Sequence, residues 1–242
     1  MTTKSEVRFL MSCVGGGLST ALLSQLRASR YFNFKLFGVD ANSVPVAAQS
    51  LLDDFRQVPY GDSSDYVSRL LEVVAEFKID IFWPASDAEV RAVVPEVKSF
   101  GALNCQLLAG SAEQIETVSD KGKVFRILQD AGIRVPLYSV LSKADDIYQS
   151  MRDFGYPKKT VIIKPPTGRG NRGLHIFVGD DSPAEWLGAG LRESRHVERI
   201  ESPDQVEPLI EQKTMVMPML TTPAYDVDVL ASKARATSLI VR

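Results

Sequence analysis

Two hydrophobic periods alternate along the first half of the chain. Short unbroken apolar runs are followed by stretches whose apolar residues recur every three or four positions, the signatures of buried strands and amphipathic helices. Residues 8–14 form the first apolar run. Gly15, Gly16 and Gly17 then turn the chain, and 18–29 carries Leu18, Ala21, Leu22 and Leu26 on one helical face. Residues 35–39 predict a second strand, ending in Asp40, and 57–60 a short strand or loop. Residues 65–77 predict a helix with Val67, Leu70, Leu71, Val74 and Phe77 on its apolar face. Residues 79–83 predict a third strand, closed by Pro84-Ala-Ser-Asp. A helix over 88–100 follows, kinked at Pro95. A fourth strand at 106–109 is closed by Gly110 and Ser111. This alternation from residue 6 to about 112 predicts an α/β fold with a parallel, doubly wound sheet.

The pattern changes in the second half. Residues 112–118 and 121–131 predict helices, the latter ended by Gly132, and 135–140 reads as extended. Residues 144–154 predict a helix that exits through Gly155-Tyr-Pro. Two strands, 160–164 and 174–178, flank a glycine-rich loop, and the spacing suits an antiparallel pair instead of a strand-to-helix turn. Residues 182–189 and 203–212 read as helical, 215–220 as strand or linker, and 225–231 as a strand carrying Asp226 and Asp228. There is no internal repeat and no low-complexity tract.

Composition narrows the function classes. The chain is 45% hydrophobic and 24% charged with a net charge of −2, which gives no bulk attraction to nucleic acid or to an acidic membrane surface. No run reaches the ~18 apolar residues of a membrane helix, and the amino terminus leads into a strand instead of a signal peptide. A cytoplasmic location is the expectation. Cys13 and Cys105 lie in strand-like runs and read as small buried hydrophobes. His175 and His196 fit neither zinc spacing nor a nucleophilic triad, so no metal site is predicted from these residues.

The strongest chemical signal is Val161-Ile-Ile-Lys-Pro-Pro-Thr-Gly-Arg-Gly-Asn-Arg-Gly173. It places Lys164 at the end of an apolar strand, ahead of a loop with Gly168, Gly170 and Gly173. Glycines let backbone amides approach an anion, and lysines supply positive charge. Lys121 sits upstream at the head of a helix. Together they predict a nucleoside triphosphate site, with Arg169, Asn171 and Arg172 either reaching the outer phosphates or simply solvated. No G-x-x-x-x-G-K-[ST] occurs, which excludes a P-loop ATPase. Met215-Val-Met-Pro-Met-Leu220 is either core or a linker that packs thioethers on a purine.

Two turns in the first half are further candidates. Gly15, Gly16 and Gly17, with Asp40 closing the second strand, partly match a dinucleotide fingerprint, but Thr20 stands at its third glycine. The turn serves a dinucleotide, lines a substrate pocket or is purely structural. Ser86 and Asp87 follow a parallel strand, where ligands gather, or they cap the next helix.

In this order the motifs resemble the ATP-grasp superfamily, especially its carbamoyl-phosphate synthase large-chain and biotin carboxylase members. Asp120-Lys121 with Gly132-Ile-Arg-Val-Pro136, the strand–lysine–glycine loop, and Met217 to Leu230 are similar to its characteristic segments. The resemblance implies a pre-ATP-grasp domain over 1–112 and part of an ATP-grasp domain over 113–242. Within the latter it implies a lid lobe over about 134–214 and the start of a carboxyl-terminal lobe over 215–242. It implies that Lys121, Lys164 and residues 168–173 bind ATP phosphates, that Met217, Pro218 and Leu220 line the adenine, and that the enzyme activates a carboxylate as an acyl phosphate. The family's ribose-binding glutamate falls on Ala224, with Asp226 or Asp228 as substitutes, and its magnesium ligands would lie downstream of residue 242. The expectation is therefore an ATP-binding form with an incomplete carboxyl-terminal lobe and without turnover. It would take a small-molecule carboxylate substrate near Gly15–Gly17, Ser86 and Asp87, and act as a homodimer or with a complementing chain. The alternatives are an NAD(P)-dependent oxidoreductase using Gly15, Gly16, Gly17 and Asp40, and a non-catalytic subunit completed by a partner.

Overall fold

The computed structural model describes residues 4–43, 46–168, 173–182, 197–198, 201–210, 213–220, 223, 225–232 and 235–241. The chain divides into two units, Met1–Ser119 and Asp120–Arg242.

Unit 1 is built on β1 (Ser5–Ser12), β2 (Phe32–Asp40), β3 (Asp54–Gln57), β4 (Ile81–Trp83) and β5 (Gln106–Leu107). All pairs are parallel, in the order β3-β2-β1-β4-β5. The helices are α1 (Ser19–Arg27), α2 (Val46–Gln49), α3 (Tyr66–Phe77), α4 (Asp87–Val93), α5 (Val97–Ala102) and α6 (Ala112–Val118). A parallel sheet must be covered on both faces, and the sequence supplies both covers. Leu10, Phe37, Val39 and Phe82 pack with Leu70, Val73, Val74 and Phe77 of α3. Phe9, Met11 and Leu36, on the opposite face, pack with Leu23 of α1 and Ala48 of α2. The expected doubly wound sheet is present. The chain runs outward from β1 through β2 and β3, then returns to the other side of β1 with β4. The crossover point therefore lies between the ends of β1 and β4.

The helix expected over 88–100 is broken instead of kinked. It comprises α4, a 3₁₀ turn at Val94–Glu96 and α5. Pro95 lies in the first positions of that turn, where its missing N–H is tolerated.

Unit 2 contains α7 (Lys121–Asp130), β6 (Ser139–Leu141), α8 (Ala144–Asp153), β7 (Val161–Lys164), β8 (His175–Phe177), β9 (Val197–Glu198) and β10 (Thr214–Pro218). The sheet order is β6-β10-β7-β8-β9. The strands flanking the glycine loop, β7 and β8, are antiparallel, as their spacing predicts. Alternation along β7 sends Val161 and Ile163 to Ile147 and Met151 of α8. It sends Ile162 to Met215, Met217 and Phe125 of α7. The methionine-rich run is thus an interior strand, with β6 and β7 on its two sides.

Residues 203–212 were expected to be helical, but Pro203–Gln205 and Glu207–Leu209 are 3₁₀ turns. Pro208 removes a backbone donor that a helix continuing past Gln205 would need, whereas Pro203 stands at a first position that tolerates it. The helix expected over 182–189 lies outside the described residues, apart from Ser182. A separate antiparallel ribbon, β11 (Val227–Ser232) and β12 (Arg235–Val241), exposes Val227, Val229, Leu230, Leu239, Ile240 and Val241. Among the described residues no helix is long and apolar enough to cross a membrane.

Candidate functional site

Local chemistry at the start of α7 brings two lysines together. The Asp120 carboxylate accepts the backbone N–H groups of Gly122 (2.8 Å) and Lys123 (3.1 Å), which caps the helix and makes Lys121 its first residue. The segment after β7 is tied to the same point. The Lys121 N–H donates to the Pro166 carbonyl at 2.9 Å, and Asp120 forms a β-bridge with Thr167. Lys164, the last residue of β7, is thereby held beside Lys121.

The Lys121 ammonium donates to the carbonyls of Pro166 (3.3 Å) and Gly168 (3.2 Å). These oxygens offset the unfavourable position of a cation at the positive end of a helix. Lys164 is half-buried, and its pKa is held below the ordinary lysine value, first by burial and then by the charge of Lys121. Neither lysine forms an ion pair among the described residues. Two uncompensated cations at one point form a site that gains from an anion.

Glycine is required at both described ends of the adjoining loop. Gly168 has φ +132° and Gly173 has φ +70°, and a Cβ on Gly173 would lie 2.9 Å from the Pro165 ring. Arg169, Gly170, Asn171 and Arg172 lie outside the described residues. Met217 is buried in the core beside β7, Pro218 is half-buried at the end of β10, and Leu220 is exposed. Ala224 lies outside the described residues, and Asp226 and Asp228 are exposed. Among the described residues no group of three or more His, Cys, Asp or Glu side chains is placed to hold a metal ion. The residues described do not fit a magnesium site.

Unit 1 presents a second feature. The turn after β1 and the turn after β4 enclose a cavity of about 550 Å³, lined by Cys13, Gly16, Gly17, Ser86 and Asp87 among others. Ligands of open α/β sheets collect at such a crossover point. Ser86 does cap α4, accepting the Glu89 N–H, yet it also lines the cavity, so the two readings of that residue are compatible. Gly15 is exposed next to the lining residues, with its N–H on Asp40. A larger depression of about 730 Å³ lies at the ends of β2 and β3, but it is lined by the Arg69–Glu72 ion pair (2.6 Å) and sits away from the crossover.

Sequence reading missed the organiser of this region, Glu89. The residue is 5% exposed. One of its oxygens accepts from Ser12 Oγ (2.7 Å), Ser86 Oγ (2.9 Å) and Cys13 Sγ (3.1 Å). It thus joins the end of β1 to the head of α4. The Tyr66 hydroxyl is buried nearby without a well-formed hydrogen bond, and burial, then Glu89, push its pKa up. The available signal was Glu89 at the third position after a serine cap, but that pattern also describes an ordinary exposed capping residue.

Asp40 is also occupied. Its two oxygens accept the N–H groups of Gly15 (3.0 Å) and Asn42 (2.9 Å). It braces the glycine turn instead of presenting a free carboxylate to a ribose, which removes the main support for the dinucleotide reading.

No family model matches the chain. It is 23% identical over 173 residues to the carbamoyl phosphate synthase large chain of Thermotoga neapolitana, covering 70% of this chain and 15% of that protein. The L-amino acid ligase structure from Bacillus licheniformis superposes with a TM-score of 0.61 at 15% identity, covering 98% of this chain and 50% of that one. The biotin carboxylase–β,γ-ATP complex from Campylobacter jejuni superposes with a TM-score of 0.59 at 16% identity, covering 92% of this chain and 47% of that one. The chain has the ATP-grasp fold. The chain spans about half the length of these structures.

Proposed function

We propose that this chain binds ATP, with the triphosphate held by Lys121 and Lys164 beside the loop at 165–173. The observation that carries this reading is the convergence of the two ammonium groups. They come from separate elements, one helix and one strand, and lack carboxylate partners among the described residues. Incoming phosphate oxygens would replace the Pro166 and Gly168 carbonyls as acceptors for Lys121, and would relieve the repulsion between the lysines. Charge-assisted hydrogen bonds of this kind are the strong ones. The Asp120 cap already occupies the first amides of α7, so the lysines and the loop, not the helix terminus, are the anion-binding groups. Arg169 and Arg172 are assigned to the outer phosphates, Gly168, Gly170, Asn171 and Gly173 to the loop that covers them, and Met217, Pro218 and Leu220 to the adenine.

Within a protein that includes the rest of the fold, the activity we assign is ATP-dependent ligation, in which a carboxylate is phosphorylated to an acyl phosphate and then captured by a nucleophile. Positive charge around the transferring phosphoryl group is the contribution of this chain's own lysines. The family neighbours support the reading, since one of them is a ligase and another an ATP complex. Equilibrium binding of ATP to the chain tests it: saturable binding that is lost in Lys164→Met supports the assignment, and binding indifferent to both lysines refutes it.

A further inference from the structure

The cavity at the crossover point of unit 1 has an electrostatic character that the nucleotide site does not explain. We propose that it binds a small primary amine with an apolar body, the ammonium group on the Asp87 carboxylate and the body against Trp83 and Met11.

Among the described residues, its walls carry no lysine and no arginine. Asp87 is exposed at its rim, and its carboxylate makes no hydrogen bond or ion pair among the described residues; Arg91, one turn further along α4, is not paired with it. Two more carboxylates stand behind the wall. Glu89 is held by Ser12, Ser86 and Cys13, and Asp40 by the amides of Gly15 and Asn42. The thiol of Cys13, which lines the cavity, registers this field. Its pKa is pushed up to about 12 by burial first, then by its hydrogen bond to Glu89 and the Glu89 charge, with Asp40 adding to the effect. The Glu89 and Asp40 contributions are those of negative charge and act against a carboxylate ligand, whereas burial acts against a charge of either sign.

The remaining surface is mainly apolar, from Met11, Leu22, Trp83 and Val90. Asp87 offers the ammonium group an ion pair, and the Trp83 side chain offers the body an aromatic surface. The volume of about 550 Å³ lies in the range of small-molecule sites. The geometry is enforced by the backbone. Cys13 has φ +51°, a conformation uncommon outside glycine and worth a functional reading where it lines a cavity. Gly61 packs so closely on Glu89 that a Cβ there would lie 2.7 Å from its Cγ. Gly61 thus holds the stem of the Glu89 side chain while Ser12, Cys13 and Ser86 hold one of its carboxylate oxygens.

The test is a charge series with one body. The full chain, without nucleotide, is titrated calorimetrically with 2-phenylethylamine, 2-phenylethanol and phenylacetate. The expected order of affinity is amine, then alcohol, then carboxylate. Asp87→Asn is expected to weaken the amine about fivefold, the scale of a solvent-exposed ion pair, and to leave the alcohol unchanged. Asp87 begins a helix, so a second variant guards against a folding artefact: Leu18→Lys, at a position 85% exposed on the cavity rim, is expected to weaken the amine and strengthen phenylacetate. Equal or tighter binding of phenylacetate overturns the proposal and makes this a carboxylate site. Absence of saturable binding by all three probes, or an amine affinity indifferent to both variants, overturns it as well.

Discussion

Lys164→Met should stabilise the ligand-free chain and weaken its hold on ATP at the same time. Burial and the neighbouring Lys121 hold the Lys164 pKa below its ordinary value of 10.5. The unfolded chain therefore binds that proton more tightly than the folded chain. Between the lowered pKa and 10.5 the unfolded state carries more protons, so stability rises with pH through that window. Below the window the folded chain bears the full cost of a charged, half-buried amine beside a second one. Methionine keeps the unbranched shape and removes the charge. Because the side chain remains half-exposed, solvent screening limits the gain to about 1 kcal/mol or less, a rise in melting temperature of roughly 2–4 °C. On the ligand side, a charge-assisted hydrogen bond to phosphate contributes about 1.5–3 kcal/mol, so affinity should fall roughly 10- to 100-fold. The assay is thermal unfolding of wild type and variant, with and without millimolar ATP, at pH 7 and pH 9.5. The variant should melt higher than wild type without ATP and gain less from ATP, and its advantage should shrink at the higher pH. A variant that melts lower without ATP and keeps the full ATP shift would show that Lys164 neither carries this cost nor holds the phosphate.

Other outcomes follow from the same contacts. Gly61→Ala should destabilise unit 1 by ~1–3 kcal/mol in urea unfolding, because its Cβ would lie 2.7 Å from Glu89 Cγ and 2.8 Å from Glu89 N; an unchanged midpoint would contradict the packing. Cys13 should alkylate with iodoacetamide at pH 8 far more slowly than a free thiol, since its pKa is pushed from 9.0 up to about 12. The same shift makes the unfolded chain lose that proton first, so Cys13 lowers stability as pH rises from 9 toward 12; rapid alkylation at pH 8 would contradict both statements. Amides of β11 and β12 should exchange with solvent much faster than those of β10, because a two-stranded ribbon with exposed side chains is marginal by itself; equal protection would show that the ribbon is covered.

The parts of the fold legible in the sequence were those written in a single period. Residues 65–77 repeat apolar positions at helical spacing, and α3 buries Leu70, Val74 and Phe77 of the expected face, with Val67 and Leu71 only partly buried and Tyr66 and Val73 buried in addition. The strand–lysine–glycine run was legible because its residues are chemically unusual as well as ordered. What failed depended on distant partners or on proline. Pro95 splits a helix that periodicity alone continues, and Pro208 stands where another gives way to 3₁₀ turns. Asp40 has the position of a ribose-binding acid, but its oxygens are taken by Gly15 and Asn42. Glu89 has the spacing of a surface capping residue, but its carboxylate meets Ser12, 77 positions away. No local pattern encodes that contact, since it exists only once β1 and β4 lie side by side.

Calorimetric titration of ATP and of adenosine into wild type, Lys121→Met, Lys164→Met and the double variant will show whether Lys121 and Lys164 hold one polyphosphate. ATP affinity should fall roughly tenfold or more in each single variant, the two losses should be non-additive because the side chains are neighbours, and adenosine affinity should not change. ATP binding that matches adenosine binding in every variant, or that survives loss of both ammonium groups, would contradict it.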